Sequence, residues 1–268
     1  MFTDKVIWIS GASSGIGEAL ALQFAAQGAK LVLSARREPE LRRVKALCET
    51  GGLPARNVLV LPLDVTDEEA MPAALQRVLD AFGHVDRLIN NAGISQRSLC
   101  VDTDMSVYRR LFEVDVLGQI ALTKTVLPRM LEQGSGHIAI MSSVAGKVGA
   151  PYRTGYCAAK HAVMGFYDAL RAEVSHHGIE VTTITPGFIR TEISIHALAG
   201  DGSEYGKIDE EISGGMDVTR CAETIMAGFR KGQPEIPVGD GLEMKALWLK
   251  RLFPKILFQK AAQMAREQ

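Results

Sequence analysis

The chain has 268 residues, 47% hydrophobic and 23% charged, a composition that excludes a disordered protein and is ample for a sizeable buried core. A formal net charge of −1 leaves no basic field to gather nucleic acid, so no nucleic-acid partner is expected. Four scattered cysteines (Cys48, Cys100, Cys157, Cys221) form no CxxC pair, which speaks against zinc and against a disulfide framework and fits a reducing, cytoplasmic setting.

In chain order, Val6–Ile9, Leu31–Leu33, Val58–Leu61, Arg87–Ile89, His137–Met141 and Val181–Ile184 are short apolar runs that predict buried strands. Amphipathic stretches separate them: Gly15–Gln27, Pro39–Thr50, Asp67–Phe82, Met105–Gln133 and Tyr156–His176. Repeated β-α alternation with continuous apolar strands predicts an α/β fold: a doubly wound parallel sheet of the Rossmann type, with helices on both faces. No repeat, low-complexity run or Pro/Ser-rich linker interrupts 1–268, so a single domain is expected. Val6–Ile9 is only strand length and meets a glycine-rich turn at once, unlike a secretory signal. No stretch reaches the roughly 18 uncharged apolar residues of a membrane span. His176 and His177, adjacent on a predicted helix, are expected to diverge rather than share a metal.

Two segments break the rhythm. Residues 192–216 are rich in Gly, Ser, Asp and Glu and are expected to form a substrate lid or loop after the sixth strand. Residues 243–260, inside a variable extension over 243–268, mix apolar and basic side chains, and Pro254 interrupts their helical pattern. Three readings stand for this stretch: peripheral membrane contact, a cover over an apolar pocket, or an oligomer contact.

The first strand runs into Ser10-Gly11-Ala12-Ser13-Ser14-Gly15-Ile16-Gly17, where a helix starts. Glycines allow a sharp turn and close backbone approach, and free amides at a helix N-terminus favour a pyrophosphate. The spacing is GxxxGxG rather than GxGxxG. The second strand ends Ser34-Ala35-Arg36-Arg37 with no acidic residue to take a ribose 2′-hydroxyl. A guanidinium there suits a 2′-phosphate, so NADP(H) is expected through Arg36, with Arg37 second; the alternative is a solvated surface pair. Glu38 is read as N-terminal charge on the next helix.

Further on stand Asn90-Asn91-Ala92-Gly93, Ser143, Tyr156-Cys157-Ala158-Ala159-Lys160 and Pro186-Gly187. Together with Ser10–Gly17, in order and spacing, they resemble the TGxxxGxG, NNAG, Ser, YxxxK and PG motifs of the short-chain dehydrogenase/reductase family over residues 5 to about 195, with Ser10 replacing the usual Thr. The resemblance implies cofactor contacts from Ser10, Gly11, Ser13, Ser14, Gly15, Ile16 and Gly17. It extends them to Asp64 and Val65 near adenine, Asn91, Ala92 and Gly93 near ribose, and Pro186, Gly187, Ile189 and Thr191 near nicotinamide. It also implies a homodimer or homotetramer built on Met105–Gln133 and Tyr156–His176.

Tyr156 and Lys160 are four apart on a predicted helix and so share a face. An ammonium beside a phenol stabilises its anion, which suits proton exchange with a carbonyl or alcohol oxygen. Lys160 is also implied as a holder of cofactor ribose hydroxyls, and Tyr156 lies beside the cofactor. Ser143, thirteen residues before Tyr156, is chosen over Ser142 to position the substrate oxygen. The expected activity is NADP(H)-dependent interconversion of a carbonyl and an alcohol on a small, apolar, steroid- or lipid-like molecule. The alternative is an NADP(H)-binding sensor on the same scaffold. One departure stands out: in Val114-Asp115-Val116-Leu117-Gly118, Asp115 occupies the place of the family's usual Asn. It is either a tolerated isostere or a charge that raises the Lys160 pKa and slows proton exchange. Cys157 is read as a packing residue.

Overall fold

The structure, a computed structural model, describes residues 2–267. Seven parallel strands form one sheet in the order β3-β2-β1-β4-β5-β6-β7. They are β1 (Val6–Ser10), β2 (Lys30–Ser34), β3 (Val58–Val60), β4 (Arg87–Asn90), β5 (Gly136–Met141), β6 (Ile179–Pro186) and β7 (Glu235–Val238). Alternate residues of β1 feed two cores. Ile7 and Ile9 join Leu20, Phe24, Ile225 and Phe229 on one face. Val6 and Trp8 join Val126, Val163 and Tyr167 on the other. Burial on both faces is why the strands read as continuous apolar runs.

Helices α1 (Gly15–Ala25), α2 (Glu38–Thr50) and, late in the chain, α8 (Val218–Arg230) cover the first face. The second carries α3 (Met71–Phe82), α5 (Gly118–Gln133) and α6 (Thr154–Val174), with α4 (Met105–Phe112) leading into α5. The expected doubly wound sheet is therefore observed. Order reverses between β1 and β4, and the C-terminal ends of these strands open the crevice where such sheets bind ligands.

Several boundaries differ from the sequence pattern. Met105–Gln133 is not one regular helix: a π-helical turn at Glu113–Leu117 separates α4 from α5. Such turns insert an extra residue and often mark functional sites. The third helix starts at Met71 rather than Asp67, because Asp67 instead accepts the Ala70 amide at 3.2 Å. β7 was not predicted: Pro237 lies in it, which an edge strand tolerates. Nor was α8, whose N-terminus Asp217 caps by accepting from Thr219 and Arg220 amides at 2.9 and 3.4 Å. His176 and His177 fall in a 3-10 turn after α6 with ring centroids 4.0 Å apart, so the expected divergence fails where the helix tightens.

After β6 the chain forms irregular turns and a short α7 (Glu210–Ser213) over residues 192–216. Beyond β7 come α9 (Glu243–Leu252) and α10 (Pro254–Glu267). Pro254 thus opens a helix, where its missing amide costs nothing. Among the described residues no helix is long and apolar enough to cross a membrane.

Candidate active site

The turn after β1 needs its glycines. Gly11 and Gly15 take φ values of 65° and 57°, the left-handed region that side chains rarely adopt. A Cβ on Gly11 would also sit 2.8 Å from Ala92 Cα, and one on Gly17 would strike the Gly11 carbonyl. The turn is held from behind. Asn91 Nδ2 donates to the Ser10 and Gly11 carbonyls at 3.2 and 3.1 Å, while Ser10 Oγ accepts from the Asn91 and Ala92 amides at 3.0 and 3.1 Å. Ser10 and Gly17 therefore lie behind the wall, whereas Gly11, Ser13, Ser14, Gly15 and Ile16 line the cleft. Ser14, at the N-cap of α1, makes no side-chain cap, which leaves first-turn amides facing the cleft for an anion. An open glycine turn ending in uncapped amides fits a dinucleotide pyrophosphate.

Arg36 and Arg37 line the same cleft, are exposed, and enter no ion pair among the described residues. Glu38, in the first turn of α2, is committed to Arg42 at 2.5 Å. Sequence reasoning missed Arg43, which binds Glu18 and Glu40 at 2.7 Å and the Ser13 carbonyl at 3.3 Å, bracing the cradle from α2. Asp64 Oδ1 accepts from both the amide and hydroxyl of Thr66 at 2.9 Å, and Asp64, Val65, Asn91, Ala92 and Gly93 continue the wall. Thr191, with Pro186, Gly187 and Ile189, also lines the cleft; its Cγ2 would be 3.4 Å from a Cβ on Gly15, so it stands against the glycine turn.

Tyr156 and Lys160 lie one turn apart on α6, with Lys160 Nζ 5.6 Å from the Tyr156 ring centre. Lys160 is buried, donates to the Met141 carbonyl at 3.2 Å, and pairs with Asp115 Oδ2 at 3.2 Å. The π-helical turn carries Asp115 inward, where it is fully buried and its Oδ1 accepts the Ile94 amide at 2.7 Å. Gly93 leaves room for the pair: a Cβ there would be 3.2 Å from Lys160 Nζ and 3.3 Å from Asp115 Oδ1. Burial disfavours the Lys160 ammonium, but the negative charges of the Asp115 carboxylate and of an ionised Tyr156 outweigh it and hold the Lys160 pKa above its ordinary value. Burial pushes the Asp115 pKa up, against the opposing pull of Lys160 and the Ile94 amide.

Ser143 follows β5. Its hydroxyl accepts the Ala145 amide at 3.1 Å and donates to the Pro186 carbonyl at 3.4 Å, and it lines the cleft beside Tyr156. Ser142 is buried and donates to the Lys160 carbonyl at 3.2 Å. Cys157 is buried, accepts the Ala150 amide at 3.4 Å, and has its thiol pKa raised by burial, all consistent with packing.

Residues 192–216 are anchored rather than free. Leu198 bridges the Gln96 backbone and joins Val107, Leu111, Ile94 and Tyr156 in a third apolar cluster. Asp209 pairs with Arg97 at 2.5 Å and Arg153 at 3.0 Å, all three side chains being largely buried. Sequence reasoning missed this cluster; Arg97 and Asp209 are 112 residues apart, and no motif links them. At the far end, Glu243 on α9 accepts the Phe188 amide at 3.3 Å, seating the C-terminal helices against the loop after β6.

The cleft encloses about 2200 Å³, against roughly 300–1000 Å³ for ordinary small-ligand pockets, leaving room for a dinucleotide and a second molecule together. Among the described residues no group of three or more His, Cys, Asp or Glu side chains could hold a metal.

A family profile described as "short chain dehydrogenase" matches residues 5–201. A Drosophila melanogaster protein named "Dehydrogenase/reductase SDR family protein 7-like" is 44% identical over 255 residues, spanning 95% of this chain and 78% of that protein. A Burkholderia phymatum short chain dehydrogenase/reductase solved with NAD superposes with a TM-score of 0.84 at 25% identity, covering 95% of each chain. An alcohol dehydrogenase from Thermococcus sibiricus complexed with 5-hydroxy-NADP gives 0.75 at 26% identity, covering 88% of this chain and 96% of that one.

Proposed function

The chain belongs to the short-chain dehydrogenase/reductase family, and from that premise we propose that it interconverts a carbonyl and an alcohol with NADP(H) as its redox partner. The observation that carries this is the meeting of Ser143, Tyr156 and Lys160 on the wall of the same cleft as the glycine cradle. Bound there, the dinucleotide supplies or takes up a hydride. Uncapped amides of α1 hold its pyrophosphate, and the unpaired Arg36 meets a 2′-phosphate, with Arg37 beside it.

In the reductive direction, Tyr156 Oη gives its proton to the substrate oxygen as charge develops there. The Lys160 ammonium stabilises the phenolate left behind. The Ser143 hydroxyl donates to the same oxygen, exchanging its long bond to the Pro186 carbonyl for a better acceptor. Ile94, Val148, Leu198, Leu249 and Leu257 exclude water and favour an apolar substrate. In the oxidative direction the proton path reverses.

The Asp115–Lys160 pair favours a second reading, a cofactor-binding sensor with little turnover, because the carboxylate engages the ammonium that the reaction uses. Turnover of a panel of ketones and aldehydes with NADPH separates the two. Reduction that falls by about 10²–10⁴-fold in Tyr156→Phe, with NADPH affinity kept, is expected. Tight NADPH binding with no turnover across the panel establishes the sensor.

A further inference from the structure

Helices α9 and α10 expose apolar side chains that a water-facing surface would bury. Leu242 is 78% exposed, Trp248 70%, Leu252 62%, Phe253 57% and Phe258 61%. Residues 243–260 carry Lys245, Lys250, Arg251, Lys255 and Lys260, five basic residues against a single acid, Glu243, in a chain whose net charge is −1. Glu243 is turned to the Phe188 amide, and none of the five cations enters an ion pair among the described residues. Lys250 reaches His161 Nε2 at 3.4 Å, while exposed Trp and Phe mixed with Lys245, Arg251, Lys255 and Lys260 match the chemistry of a headgroup–acyl boundary, where amphipathic aromatics settle and cations meet anionic lipids.

The position of the patch supplies a second observation. Trp248, Leu252, Phe253 and Leu257 also line the cleft that holds Tyr156, so the apolar surface and the cleft mouth are continuous.

We propose that the α9–α10 pair docks the protein peripherally on a bilayer bearing anionic lipids, with the mouth of the cleft opening against that surface. No spanning segment is involved: Trp248, Phe253 and Phe258 enter the boundary while the cations stay among the headgroups. That an apolar carbonyl compound then enters the cleft from the bilayer rests on the activity proposed above; the docking itself does not.

Sedimentation of the full chain with vesicles tests the docking. Phosphatidylcholine vesicles containing phosphatidylserine are expected to carry down the protein, more weakly without phosphatidylserine, with release as salt approaches about 0.5 M. Ile256→Ser with Phe258→Ser weakens the apolar contact at positions outside the cleft, and Arg251→Glu with Lys255→Glu reverses two charges. Each basic residue near an anionic surface strengthens binding about fivefold, so the charge pair is expected to lower partition by at least about 25-fold. None of these four residues lines the cleft, so turnover of a water-soluble ketone stays unchanged. Tyr156→Phe, conversely, keeps vesicle binding, which separates failure of the docking from failure of the catalytic proposal. The docking is overturned if phosphatidylserine vesicles carry down no protein at low salt, or if both double variants bind like wild type. It is also overturned if the patch proves to be a contact with a second copy: Ile256→Ser with Phe258→Ser then dissociates an oligomer while vesicles bind neither form.

Discussion

Lys160 Nζ lies 3.2 Å from the Asp115 carboxylate, with both side chains buried beneath Gly93. An Asn at this position would carry no charge, so the pair sets the pH range over which Lys160 remains an ammonium. In Asp115→Asn the carboxylate no longer opposes burial, and the Lys160 pKa falls. The alkaline limb of the kcat/KM profile is expected to move down by about 1 pH unit or more, with turnover at neutral pH kept or raised. A more than about tenfold loss of kcat at pH 7, with folding intact, would show that the carboxylate itself is needed. The effect of Lys160 on stability lies elsewhere. A raised folded pKa contributes fully below the unfolded value near ~10.4 and is lost as pH rises through the folded one.

The proposed preference for NADP(H) rests on Arg36. It is exposed just beyond β2 and enters no ion pair among the described residues, whereas Arg43 is already committed to Glu18 and Glu40. Arg36→Ala is expected to weaken NADPH binding about tenfold, the value of one charge-assisted contact, and to leave NADH within about twofold. Calorimetric titration with both nucleotides reads the ratio, and equal losses for the two defeat the 2′-phosphate assignment.

Asp209 holds the segment over the cleft. Asp209→Asn leaves Arg97 and Arg153 buried without their shared carboxylate, a change of the kind that costs about 3–5 kcal/mol. Thermal unfolding is expected to shift down by several degrees. KM is expected to rise more than kcat falls, because Arg153 lies just before the helix that carries Tyr156. An unchanged KM in a destabilised variant restricts the cluster to a structural role.

His137, on β5, is buried with its pKa pushed down to about 4 by desolvation, against the pull of Glu180. The unfolded chain therefore binds a proton that the folded one refuses between about pH 6.5 and 4, and stability falls as pH drops through that window. The contribution is about 3 kcal/mol by the size of the shift, which already includes the opposing pull of Glu180. Urea midpoints from pH 7 to 4 are expected to fall, and His137→Gln to flatten the slope.

Much of this was legible because it repeats locally. Buried strands announce themselves as apolar runs, and the cradle is a contiguous string, so six strands and the glycine turn follow from neighbours in sequence. β7 did not, since Pro237 and Glu235 spoil its pattern and only its edge position permits them. The π-helical turn was equally hidden: Glu113–Leu117 keeps the apolar spacing of a regular helix, and the extra residue shows only in the backbone. The sequence placed Asp115 at an unusual position, but its burial depends on Gly93 and Ile94, more than twenty residues upstream. The Arg97–Asp209–Arg153 cluster had no local trace at all.

The nucleotide seat joins two strands that are far apart in the chain. Ser10 and Asn91, 81 residues apart, meet through hydrogen bonds that shape the cradle from behind. A growing polypeptide that has made only the glycine turn has no finished seat, however complete its first βαβ unit. Occupancy by the dinucleotide is therefore a report of assembly: only a chain whose central strands have paired can hold it. Nucleotide supplied during refolding then draws molecules out of the unfolded pool by mass action, selecting those with β1 and β4 in register.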